Sequence, residues 1–152
     1  MSRRGLVLAV AGLALMLGAP VARADGGGPQ EVAAKAMLER AVVAVKADSL
    51  QAMVSFTKRS DGFGEGDLYV FCARARSGWT VAHPYRLGEN IAQVSDVNGK
   101  LFGKEMLHRA KEGQISEIHY MWPKPGEKTP TQKDTFFTKV KDLVCGVGYY
   151  PG

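Results

Sequence analysis

Two side chains in this sequence, His83 and Lys133, have the chemistry to meet a small anion, and two aromatic ones, Tyr120 and Trp122, have the bulk to wall a cavity. Alternation along residues 118–122 puts Ile118, Tyr120 and Trp122 on one face of a strand, so the two larger rings can wall one place together. They serve either a ligand cavity or an ordinary core, because aromatic side chains fill cores by default. A lysine at the mouth of an apolar pocket pairs naturally with a carboxylate through a charge-assisted hydrogen bond; the other reading of Lys133 is a solvated surface charge. His83 precedes Pro84, whose fixed φ ends strand pairing and turns the chain away. Its imidazole either donates to a ligand anion or is a satisfied structural residue.

Other chemistries lack residues. His83, His108 and His119 stand at no metal-like spacing, and Cys72 and Cys145 fall on different segments, so the expectation is no metal site. Asp96-Val97-Asn98-Gly99 opens like a calcium loop but lacks the downstream carboxylates that would complete it. It reads instead as a turn in which Asp96 accepts local backbone N–H groups and Gly99 supplies positive φ. There is no Gly-x-Ser-x-Gly, no phosphate loop and no Cys/His nucleophile pair, so neither an enzyme nor a bound cofactor is expected.

Charge and leader narrow the class further. Arg3 and Arg4, an apolar run over residues 6–17 and Ala22-Arg23-Ala24 form the three-part layout of a secretory signal peptide. The apolar core is shorter than the roughly 20 residues that span a bilayer. Cleavage after residue 24 removes three arginines, leaving 17 basic against 15 acidic residues and a net charge of +2 in place of +5. So small an excess implies no nucleic-acid partner and no anionic membrane surface. The expected localisation is periplasmic or secreted. In that compartment Cys72 and Cys145 can pair, or remain two buried thiols; spacing alone does not decide.

The elements that must position these residues are legible in the periodicity. Residues 25–29 read as a flexible leader. From 30 to 57 no Gly or Pro interrupts, and Leu38, Ala41, Val42, Val45, Ala52, Met53 and Phe56 recur at helical spacing, which predicts one long helix packed along a sheet. After a turn-rich connection over 60–66, five short strands follow at 67–76, 79–83, about 114–122, 132–140 and 143–150, with a Ser77-Gly78 turn between the first two. A short helix is expected within 98–113, stopped by Gly113.

Several motifs appear in a characteristic order: Gly66-Asp67-Leu68-Tyr69-Val70-Phe71, Trp79-Thr80-Val81-Ala82-His83-Pro84 and Asp96-Val97-Asn98-Gly99-Lys100; then His119-Tyr120-Met121-Trp122-Pro123, Lys133-Asp134-Thr135-Phe136 and Gly146-Val147-Gly148-Tyr149-Tyr150. In order and spacing, over about residues 30–150, the chain resembles the extracellular Cache family, specifically the stand-alone single Cache domains of the second type. The resemblance implies an α+β fold, a long N-terminal helix on a five-stranded antiparallel PAS-like sheet, with residues 30–152 as one domain. It also implies a small-molecule sensor outside the cytoplasm. Such a sensor would take a short organic carboxylate in a pocket edged by His83, Tyr120, Trp122 and Lys133, and would signal through a separate, membrane-bound partner.

The family's first and last strands lie side by side, which implies a Cys72–Cys145 disulfide. The chain departs from the family where Phe136 replaces a tyrosine, where Asp134 introduces an acid beside Lys133, and where Val147 replaces a hydroxyl residue. The small residues of the closing motif are expected to let a ligand approach the strand backbone. The rival reading is a periplasmic interaction or structural protein that keeps the fold without a ligand.

Overall fold

The computed structural model describes residues 27–152; the expected leader at 1–24 lies outside them. Pro29, placed in the flexible segment by the sequence, instead opens the first helix, where its missing N–H and preset φ suit the first helical turn. Helix α1 (Pro29–Ala47) buries Ala34, Met37, Leu38, Ala41 and Val45 along one side. The expected single helix is two, because Asp48 leaves the helical region with φ −150° and ψ 99° and caps α2 (Ser49–Lys58) through its side chain. That carboxylate accepts the Gln51 N–H at 3.0 Å. The offer of a side-chain partner to a free backbone donor favours a new helix start over continuation.

The strands are β1 (Gly64–Glu65), β2 (Leu68–Arg74), β3 (Thr80–Ala82), β4 (Ser116–Pro123), β5 (Pro130–Val140) and β6 (Leu143–Tyr149). The five expected strands are present; the turn-rich connection adds β1 as a sixth. Sheet order is β1-β2-β6-β5-β4, with β3 also on β2, and every pairing is antiparallel. A single turn of 3-10 helix (Ile91–Gln93) precedes α3 (Phe102–Arg109), which stops short of Gly113.

Alternation gives the sheet two buried faces. Leu68, Val70, Cys72, Phe136, Val140, Cys145 and Val147 pack beneath α1 and α2. Tyr69, Phe71, Ile118, Tyr120, Phe137 and Val144 face the other way, toward Phe102 and Met106 of α3. Because β2 and β6 are neighbours, Cys72 and Cys145 stand opposite each other in register and are joined by a disulfide, with Cα atoms 4.1 Å apart. Among the described residues no helix is long and apolar enough to cross a membrane.

Candidate functional site

The face of the sheet toward α3 does not close completely. His83, Tyr120, Trp122 and Lys133 line one cavity there with Tyr69, Phe71 and Phe102, enclosing about 40 Å³.

Lys133 lies at the centre. It is the fourth residue of β5, its side chain is only 2% exposed, and it is therefore neither at a mouth nor on the surface. Its stem crosses β6 over Gly148, where a Cβ would come within 2.2 Å of Lys133 Cε. The closing glycines thus make room for this lysine and, at Gly146, for the Phe71 ring. Lys133 Nζ donates to the Tyr69 hydroxyl at 3.0 Å and lies 4.7 and 5.3 Å from the Tyr69 and Tyr150 ring centroids. Among the described residues, no carboxylate lies within ion-pair distance of it. Burial pushes its pKa down, since the charged form loses its water.

Asp134, its neighbour in sequence, points through the sheet to the opposite face, as a period of two requires. There it accepts from Gln132 at 3.1 Å and contacts His119 Nδ1 at 2.8 Å. Phe136 shares that face, stacked on Tyr149, so neither of these departures from the family pattern touches the cavity.

His83 reaches the cavity because β3 carries an extra residue. Cys72 pairs with Ala82 but Ala73 pairs with Thr80, so Val81 is bulged and both Thr80 and His83 line the cavity. Backbone N–H groups of Tyr85 and Arg86 donate to His83 Nδ1 at 3.0 and 3.1 Å. With that nitrogen accepting, the proton sits on Nε2, which is left as a donor. Burial first, and the Lys133 and Arg86 charges after it, lower the His83 pKa to about 3, so the imidazole is neutral at physiological pH.

The walls are aromatic. Tyr120 stacks on Phe102 at 4.0 Å and bonds Thr135 Oγ1 at 3.0 Å; Trp122 meets Phe102 edge-on at 5.3 Å. Across the opening, the Arg86 guanidinium lies 4.9 Å from the Trp122 ring and pairs with Glu89. Asp96 braces the floor's far edge as its turn predicts, accepting Asn98 and Lys100 N–H at 2.9 Å, and it also accepts Met121 N–H of β4 at 3.0 Å.

Sequence reasoning missed Tyr69, Phe71, Arg86 and Thr80. Alternation along β2 carries a signal for the first two; nothing local marks Arg86, which sits on an irregular loop. It also missed a cross-strand group on the sheet's other face, where donor atoms of Glu117, His119 and Asp134 lie within 4.8 Å of one another. Residue spacing hides it because His119 and Asp134 are partners across β4 and β5. Its members already satisfy each other and Tyr149, whose hydroxyl donates to Glu117 at 2.7 Å.

Solved structures of chemotaxis and chemosensory proteins share this architecture. A methyl-accepting chemotaxis protein from Vibrio parahaemolyticus RIMD 2210633 superposes with a TM-score of 0.64 at 20% identity, over 79% of this chain and 87% of that one. A Cache chemosensory domain whose structure addresses carboxylic acid recognition gives 0.59 at 21%, over 80% and 88%. A periplasmic sensor domain of a chemotaxis protein gives 0.58 at 22%, over 80% and 90%. At these identities the likeness shows a shared fold. No functionally curated protein matches the chain. The family model for single Cache domain 2 matches residues 39–150, most of the chain and all of the sheet that carries the cavity, so the chain belongs to that family.

Proposed function

We propose that this protein is an extracytoplasmic receptor for a short organic carboxylate, exported by the leader at residues 1–24 and reporting occupancy to a separate membrane-bound partner. One observation supports this reading above the rest: a lysine buried in a cavity with a tyrosine hydroxyl for company and no acid beside it. A buried ammonium without a counter-charge is costly, and a ligand carboxylate supplies the missing charge. In this reading the carboxylate accepts from Lys133 Nζ and His83 Nε2–H, while Tyr120 and Trp122 enclose its carbon chain. The carboxylic acid recognised by one structural neighbour is chemistry of the same kind. The narrow cavity, about 40 Å³, favours a small ligand.

The test is thermal unfolding against formate through valerate, with the matching primary amides as uncharged controls. A carboxylate at about 100 times its Kd stabilises the protein by about 2.7 kcal/mol, and the amides give a clearly smaller shift. Absence of any anion-specific shift overturns the proposal. It would favour a scaffold that presents a surface to a partner, a reading supported by Val43 and Leu50, 67% and 78% exposed on the two helices.

A further inference from the structure

Thr80 lines the same cavity, is 3% exposed, and its hydroxyl has no hydrogen-bond partner. Its backbone is fully used, donating to Glu89 O at 2.8 Å and accepting from Gly88 N–H at 3.1 Å, so only the side chain is unsatisfied. A buried hydroxyl left alone forfeits its hydration without return. A valine would fill the same volume at no such cost, so the polar atom is either ballast or a contact for what enters the cavity. Rotation about one bond exchanges its methyl and hydroxyl, which lets the oxygen turn toward a ligand.

Its position says which part of a ligand it would meet. Thr80 pairs with Ala73, whereas the Tyr69 hydroxyl that holds Lys133 belongs to a residue four positions earlier on β2. At ~3.3 Å per residue, about 13 Å of strand separate the two backbone positions, and Phe71 lies between them on the same face, with Ile91 and Val94 also lining the cavity. The site is thus polar at both ends and apolar in the middle. Its second end is not built for a cation, because the nearby Glu89 carboxylate is already paired with Arg86.

Resting on the carboxylate reading above, we propose that Thr80 is a specificity residue that reads a neutral hydroxyl at the far end of the ligand, so that the preferred class is a short ω-hydroxycarboxylate and not a plain fatty acid. The ligand carboxylate meets Lys133, its methylenes cross Phe71, and its terminal hydroxyl bonds Thr80 Oγ1.

Calorimetric titration of the purified protein with butyrate and 4-hydroxybutyrate, and with the three- and five-carbon pairs, tests this. The unsubstituted protein should bind at least one ω-hydroxy acid about three- to tenfold more tightly than its plain counterpart, the worth of one neutral hydrogen bond. Thr80→Val should abolish that preference and Thr80→Ser should retain it, while the unliganded unfolding midpoint of Thr80→Val should equal or exceed the parent's. Equal affinity for both members of every pair, or a preference that survives Thr80→Val, overturns the role of Thr80 and leaves the carboxylate reading standing. Failure of every carboxylate in the series to bind removes both.

Discussion

Lys133→Met separates a binding lysine from a structural one. Truncation to alanine is a poor probe, because the stem is buried over Gly148 and loss of about three methylenes at ~0.8 kcal/mol each would by itself destabilise the fold. Methionine keeps the length and flexibility of the stem and removes only the charge. In the empty protein that charge has one tyrosine hydroxyl and two aromatic rings but no counter-ion. Its removal should therefore raise stability, by about 1–3 kcal/mol if most of the desolvation cost is recovered. For the ligand the same change removes a charge-assisted bond of about 1.5–3 kcal/mol, which weakens affinity about 10- to 150-fold. Chemical unfolding of the empty protein and calorimetric titration with the best carboxylate read the two effects separately. A Lys133→Met protein that is less stable and binds the carboxylate as before would refute the reasoning, since Lys133 would then be a packing element supported by Tyr69.

Four further outcomes follow from particular contacts. Gly148→Ala places a methyl group where the Lys133 stem runs; it should displace the ammonium and cut carboxylate affinity by about tenfold or more, and unchanged titration would show that Lys133 is not the anchor. Burial holds Lys133 below its usual pKa, so the unfolded chain binds the extra proton between that lowered value and 10.5; stability of the empty protein should rise with pH across this window. The Cys72–Cys145 bond closes a separation of 73 residues, so its reduction should lower unfolding stability by up to about 4 kcal/mol, measured as the urea midpoint with and without reductant. Intact-mass measurement of the exported protein should show an N-terminus near Asp25, and retention of residues 1–24 in a membrane fraction would contradict the leader.

What the sequence determined by itself is local. Period-two alternation, Gly78 and Gly99 at positive φ, and the stop at Pro84 mark where strands begin and end, because those signals act on the backbone within a few residues. The same alternation was enough to put Tyr120 and Trp122 on one face. The break at Asp48 was legible in principle, as an N-cap residue three positions before Gln51, but apolar periodicity on both sides masked it.

Tertiary structure decided the rest. Lys133 reads as a cation at a pocket mouth or on the surface until β6 brings Gly148 beneath it and β2 brings the Tyr69 hydroxyl within 3.0 Å, 64 residues away in sequence. Asp134 looks like its counter-ion until the pleat sends it through the sheet to His119. Likewise, the bulge at Val81 that brings His83 and Thr80 to one cavity exists only in the pairing of β3 with β2. Burial, charge compensation and pKa are set by what the neighbouring strand contributes, and strand order is fixed by packing the whole apolar surface at once, not by any one segment's preference.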